Sequence, residues 1–216
     1  MTSDSKRAEM VERDIAARGV RDARVLAAMR VVPREVFVPP ARRAEALDDR
    51  PLPIGAGQTI SQPYIVALMC EALQLRGDER VLEIGTGSGY GAAVLSRLAA
   101  TVDTVERVPE LADRAARQLA DLNLNNVRVH GGDGTLGWPE AAPYDAIVVT
   151  AGGPEVPPAL LAQLAPGGRL VMPVGSTRRW QVLVRVTHVG PDDFRSESLC
   201  DVAFVPLMGA QGWPEA

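Results

Sequence analysis

The stretch Val81-Leu-Glu-Ile-Gly-Thr-Gly-Ser-Gly-Tyr90 decides how the rest of the chain is read. Residues 81–84 are a short apolar run of the buried-strand kind, and residues 92–98 are strongly helical. Between them stand Gly85, Gly87 and Gly89. A glycine turn between a strand and a helix is where an open α/β sheet takes its ligand, since backbone approaches closely and the helix start favours an anionic group. Two common ligands do not fit the spacing. A dinucleotide fingerprint needs its third glycine at position 90, which is Tyr90, and no G-K-[ST] follows for a phosphate loop.

The alternation continues on both sides. Residues 102–105 read as a second strand ending on Glu106, and 109–122 as a helix with proline in its first turn. Residues 127–129 are a third strand followed by Gly131-Gly-Asp-Gly134, and 144–150 a fully apolar fourth. A helix over 157–164 is stopped by Pro166-Gly-Gly168, and strands follow at 169–174, 181–189 and 201–207. This predicts an α/β fold with a doubly wound, mostly parallel sheet and an antiparallel C-terminal edge, where no helix separates the last strands. Upstream, Met10, Val11, Ile15 and Val20, then Val25, Leu26, Met29 and Val32, recur at helical spacing with a break at Gly19. Residues 51–63 are too polar and interrupted for a regular element and predict a functional loop, before a helix over 65–75.

Composition excludes several classes. With 46% hydrophobic and 23% charged residues the 216-residue chain is neither disordered nor a fibrous rod. A net charge of −4 and 4% aromatics argue against a nucleic-acid partner. No apolar run approaches a membrane span, and the opening MTSDSKRAEMVERD lacks a signal-peptide core, so a cytoplasmic location is expected. Cys70 and Cys200 cannot make a metal cluster, and they read as small core residues. No metal site is expected.

The motif Glu83-Ile-Gly85-Thr-Gly87-Ser-Gly89 resembles the E-x-G-x-G-x-G turn of S-adenosylmethionine-dependent methyltransferases. Two later acids agree with it. Glu106, ending the second strand, is placed to accept both hydrogens of a ribose diol, and Asp133 is placed to accept from an adenine amino group. The resemblance implies the Rossmann-like sheet of a class I methyltransferase, with S-adenosyl-L-methionine as cofactor and S-adenosyl-L-homocysteine as product.

A closer resemblance covers residues 10–207. Leu52-Pro-Ile-Gly-Ala-Gly-Gln-Thr-Ile-Ser-Gln-Pro63, the glycine turn, Gly132-Asp-Gly134, Tyr144-Asp-Ala-Ile147, Pro166-Gly-Gly-Arg-Leu170 and Phe204-Val-Pro-Leu207 are similar to the protein-L-isoaspartate O-methyltransferase family. The Gln-Thr-Ile-Ser-Gln-Pro segment is the most specific of these. The resemblance implies methyl transfer to the free α-carboxylate of L-isoaspartyl, and less well D-aspartyl, residues in damaged proteins or peptides. By position Ser61 matches the active-site serine. Gln58, Thr59 and Ile60 match the segment over the cofactor, Glu83, Gly85 and Gly87 the turn, Glu106 the ribose acid, and Asp133 with Gly134 the adenine contact. Ala56 departs from the family's histidine and Leu47 from its usual aromatic, which bears on peptide preference. A relative dedicated to another carboxylate, such as a biosynthetic precursor peptide, would carry the same motifs.

The expected organisation is a monomer with a single domain over 1–216. Residues 1–76 supply the N-terminal helices and substrate loop, and 77–216 the cofactor-binding α/β core. His130 and His188 lie in no motif and read as structural, and Arg178-Arg179-Trp180 as a solvated turn. A carboxylate acceptor, with a pKa of about 4, needs no general base.

Overall fold

The computed structural model describes residues 3–214, so the start of the opening segment read against a signal peptide lies outside the described residues. Helix α1 (Ser3–Met10) runs on into a wide turn at Val11–Ile15 and a tight one at Ala16–Arg18. Gly19, in left-handed backbone at φ 105°, ends it where the sequence reading placed the break. Helix α2 (Ala23–Val31) starts on Asp22, whose carboxylate accepts from the Arg24 and Val25 N–H groups.

Residues 51–63 correct the sequence reading. Leu52–Gly55 (β1) and Gln58–Ile60 (β2) pair antiparallel as a hairpin, turning through Gly55, Ala56 and Gly57, all at positive φ. Leu52, Ile54 and Ile60 point into the core while Pro53 and Thr59 point out. An inward apolar set at period two suffices once the hairpin lies on a core, however polar the rest. Helix α3 (Pro63–Leu73) follows, with proline in its first turn.

The remaining elements are β3 (Arg80–Ile84), α4 (Tyr90–Leu95), β4 (Thr101–Glu106), α5 (Pro109–Asp121), β5 (Val127–Gly131), β6 (Tyr144–Val149), α6 (Pro158–Ala162), β7 (Leu164–Val174), β8 (Gln181–Gly190) and β9 (Asp193–Val202). The large sheet has the order β5-β4-β3-β6-β7-β8-β9. It is parallel from β5 to β7, and β8 and β9 add an antiparallel edge. Alternate residues feed opposite faces: Val81, Ala146 and Val148 join the cluster under the N-terminal helices, while Leu82, Ile147 and Val149 join the other, which holds Leu160 of α6. Strand order reverses between β3 and β6, so the crevice at their C-terminal ends is the topological switch point.

Two more expectations shift. The helix expected over 157–164 is only Pro158–Ala162, because β7 already begins at Leu164 and carries Pro166-Gly-Gly168 through an irregularity in its pairing with β6. The strand expected over 201–207 is instead β9, Asp193–Val202, and residues 203–207 leave the ladder. Strand β9 is an outer strand, largely exposed, so no apolar pattern marks it.

Candidate functional site

The glycine turn supplies room more than donors. Gly85 and Thr86 donate their N–H groups to the Val105 carbonyl, Gly87 to Glu106 Oε2 at 2.8 Å, and Gly89 to the Thr86 carbonyl. Helix α4 behind it has only six residues. Gly85 sits at φ 95°, and a Cβ there would collide with Thr150 Oγ1, which donates back to the Gly85 carbonyl at 2.7 Å. A Cβ on Gly134 would collide with Ile84. The bare backbone leaves a crevice bordered by Gln58, Gly85, Glu106, Gly134, Thr150 and Met208.

Glu106 ends β4 at the rim of this crevice, only 6% exposed. Its Oε1 accepts from the Val108 N–H at 2.9 Å and its Oε2 from Gly87, which fixes the carboxylate and leaves each oxygen a further lone pair. Asp133 follows β5 and is engaged by neighbouring protein groups. Its Oδ1 accepts from the Thr135 N–H and hydroxyl, and its Oδ2 from the Ala210 N–H at 2.7 Å, and these bonds hold its carboxyl below the usual range against a partial desolvation. It ties the Gly134 turn to residues 208–210, while Gly134 itself borders the crevice.

Glu83 lies deeper, 1% exposed, on an inner cavity that also reaches Ser61 and Thr59. The Thr104 hydroxyl donates to its Oε2 at 2.6 Å, and Thr86 Oγ1 is 2.7 Å from Thr104 Oγ1. A Cβ on Gly91 would collide with Glu83 Oε1, so that glycine makes space for the acid. Burial pushes the Glu83 carboxyl up to about 8, with the Thr104 hydrogen bond opposing and the Glu106 charge adding. The folded chain therefore keeps a proton that the unfolded carboxyl loses near 4.5. That contribution to stability is full below about pH 4.5 and is lost as pH rises through about 8. Glu83→Gln should flatten the fall of the urea midpoint across this window; an identical slope in both proteins would show that Glu83 ionises normally.

Ser61 follows β2 directly. Its carbonyl accepts from Arg34 Nη1 at 2.8 Å, and no hydrogen bond among the described residues engages its hydroxyl. Ser61, Thr59 and Thr150 border both the inner cavity and an open cleft of about 530 Å³, whose outer wall includes Tyr64, Trp180 and Phe204. Thr59 and Thr150 also border the crevice beside Glu106, so these two residues join all three spaces. Sequence reading missed Thr150 and Arg34. Arg34 is fully buried, donating also to the carbonyls of Ala46 and Arg50, with its guanidinium 5.1 Å from the Tyr90 ring. Its signal was a charge inside the apolar run Val31-Val-Pro-Arg-Glu-Val-Phe-Val38.

The remaining candidates sort out by contact. His130 bonds Asp103 and stacks on Trp138, and His188 bonds the Leu164 carbonyl and stacks on Phe194, both away from these spaces. Cys70 is buried in the core, while Cys200 is partly buried and reaches the open cleft. Arg178 turns to the Pro214 carbonyl, and Trp180 faces the cleft. Ala56 stands at the exposed hairpin tip, and neither it nor Leu47 borders the cleft.

A seven-stranded, mostly parallel sheet with a glycine turn and two acids at its switch point defines a class I S-adenosylmethionine-dependent methyltransferase fold. The family model "Protein-L-isoaspartate(D-aspartate) O-methyltransferase (PCMT)" matches residues 5–212, and the chain belongs to this family. It is 64% identical over 206 residues to the protein-L-isoaspartate O-methyltransferase of Rhodopseudomonas palustris, covering 95% of this chain and 94% of the relative. A solved protein-L-isoaspartate O-methyltransferase superposes with a TM-score of 0.85 at 32% identity, over 97% of this chain and 67% of that one. A second, described as a putative protein-L-isoaspartate O-methyltransferase from Plasmodium falciparum in complex with S-adenosyl-L-homocysteine, gives a TM-score of 0.80 at 25% identity, over 94% of this chain and 98% of that one. Among the described residues, no helix is long and apolar enough to cross a membrane.

Proposed function

We propose that this protein transfers the methyl group of S-adenosylmethionine to the free α-carboxylate of L-isoaspartyl, and less well D-aspartyl, residues in damaged proteins or peptides. The ester then has methoxide as its leaving group, so the neighbouring amide nitrogen closes a succinimide that hydrolyses partly to normal aspartate. The observation that carries this reading is the position of Ser61, which borders both the cavity at Glu83 and a cleft wide enough for a peptide. We place the protein in the cytoplasm as a monomer with no nucleic-acid partner.

The residues fit the cofactor. The crevice bordered by Gly85, Gly134 and Thr150 suits an adenosyl group, and a fixed carboxylate at its rim suits a diol. The buried acid Glu83 has no cationic partner among the described residues, which suits a ligand carrying an ammonium group. When bound, S-adenosylmethionine supplies a methyl carbon activated by its sulfonium.

The chain's own part is positioning. Glu106 would accept from the ribose hydroxyls, Gln58, Thr59 and Ile60 would cover the cofactor, and Gly134 would border its adenine end. Asp133 holds Gly134 and the 208–210 segment together, and its remaining acceptor capacity would serve the adenine amino group expected from sequence. The acceptor carboxylate is ionised at neutral pH, so no side chain need take a proton. The Ser61 hydroxyl would donate to it and orient one of its oxygens for methyl transfer.

Ser61→Ala should therefore slow single-turnover methylation of an isoaspartyl peptide by about 1–2 kcal/mol, roughly five- to thirtyfold. Equilibrium binding of S-adenosylhomocysteine should stay within about twofold, since Glu106 and the turn remain. Full activity with normal binding would contradict the orienting role, and a parallel loss of both would make Ser61 a loop-capping residue.

A further inference from the structure

We propose that Trp180 and Asp201 form a subsite that selects a basic side chain flanking the isoaspartyl residue of the substrate. This rests on reading the Ser61 end of the cleft as the methyl-accepting end, and it specifies the peptide that the outer end takes.

Trp180 is 75% exposed, more than any other large apolar residue among those described. It does not sit on a loose loop. Its N–H donates to Thr177 Oγ1 at 3.2 Å, and Arg178 anchors the same turn by donating to the Pro214 carbonyl at 2.7 Å and lying over the Trp213 ring. The turn thus holds an indole in water at the lip of the cleft that contains Ser61. Scattered exposed apolar residues mean little, but one fixed at the mouth of a binding cleft has a surface to offer.

The register of the sheet supplies the second half. Gln181 pairs with Val202, both buried, and Val182 pairs with Asp201. Alternation brings Trp180 and Asp201 out on the opposite side, and both border the cleft. Among the described residues Asp201 has no ion-pair partner. The cation on this cleft is Arg18, which is already 2.6 Å from Asp49 and stacked 3.5 Å over the Tyr64 ring. The wall at Trp180 therefore keeps an unmatched negative charge beside an aromatic face. A lysine or arginine side chain satisfies both, laying its stem and charge along the indole with its head toward Asp201. A glutamate in the same place meets a like charge.

The test uses isoaspartyl peptides differing only in the residue next to the isoaspartate, tried on each side in turn, carrying lysine, glutamine or glutamate. At low salt the protein should favour lysine over glutamate about tenfold in kcat/KM on one side, and high salt should compress that ratio. Asp201→Asn should bring it below about twofold, and Trp180→Ala should lower the lysine-to-glutamine preference about two- to fivefold. Ratios between peptides cancel any general loss of active protein. Calorimetric binding of the same peptides, without methyl transfer, should rank them alike. Peptides methylated without any such ranking, or ratios unchanged in both variants, would overturn the subsite and leave the methyl-transfer reading standing. No methylation of any isoaspartyl peptide would overturn that reading, and the subsite with it.

Discussion

Replacing Arg34 with methionine should lower the unfolding free energy by about 3–5 kcal/mol, because a buried guanidinium that satisfies several acceptors leaves them all orphaned when it goes. The carbonyls are those of Ala46, Arg50 and Ser61, which sit in the chain leading to and through the hairpin β1–β2. Burial lowers the Arg34 pKa only to about 10, so the group is charged at neutral pH and its N–H donors stay strong. Lysine should rescue little, since an ammonium is a point donor and these carbonyls diverge around a planar fork. The loss should also reach the reaction, because Arg34 Nη1 fixes the backbone of Ser61. At a temperature where Arg34→Met remains folded, single-turnover methylation should fall at least tenfold while its bound cofactor analogue still registers. Denaturant unfolding within 1 kcal/mol of the parent, used here as an approximate threshold, would show that water replaces the guanidinium.

Glu106→Ala should weaken S-adenosylhomocysteine binding by about 2–3 kcal/mol, roughly thirty- to two-hundredfold. The carboxylate is asked to make hydrogen bonds to a diol from a site where its geometry is already set by the Gly87 and Val108 N–H groups. Removing it takes away the ligand's partner and also frees the glycine turn. Glu106→Gln separates the two effects. Its amide oxygen can still accept from one backbone N–H, but its NH2 group faces the other, so the turn should be disturbed even where the side-chain size is kept. Binding unchanged in Glu106→Ala would remove this residue from the cofactor site.

Legibility in the sequence followed burial pattern. Strands β3 and β6 and the glycine turn announce themselves because both faces of the inner sheet are covered, which leaves mainly apolar strands with sharp ends, whereas β4 shows only Val102 and Val105 among polar residues. Glu106 and Asp133 were singled out by their places at strand ends, and Gly134 through the family resemblance. The hairpin β1–β2 was hidden because its apolar residues, Leu52, Ile54 and Ile60, are spread among prolines and glycines that composition reads as loop. Strand β9 was hidden because an outer strand carries polar residues on both sides, as in Arg195-Ser-Glu-Ser198. Arg34 and Thr150 could not be placed from motifs, since each acts through backbone carbonyls that only the fold brings near: Ser61 is 27 positions from Arg34, and Gly85 is 65 from Thr150. Asp133 was singled out from its place after a strand, but its bond to the Ala210 N–H, 77 positions away, could not be read from a motif.

We propose that the open cleft presents an isoaspartyl α-carboxylate to Ser61 and the cofactor crevice. It is tested most directly with a pair of synthetic peptides identical except that one carries L-isoaspartate where its twin carries normal aspartate, each incubated with the protein and methyl-labelled S-adenosylmethionine. Base-labile methyl label is expected on the isoaspartyl peptide, followed by succinimide and partial conversion to the aspartyl form, with the twin at background. Equal labelling of both peptides, or of neither, would contradict it.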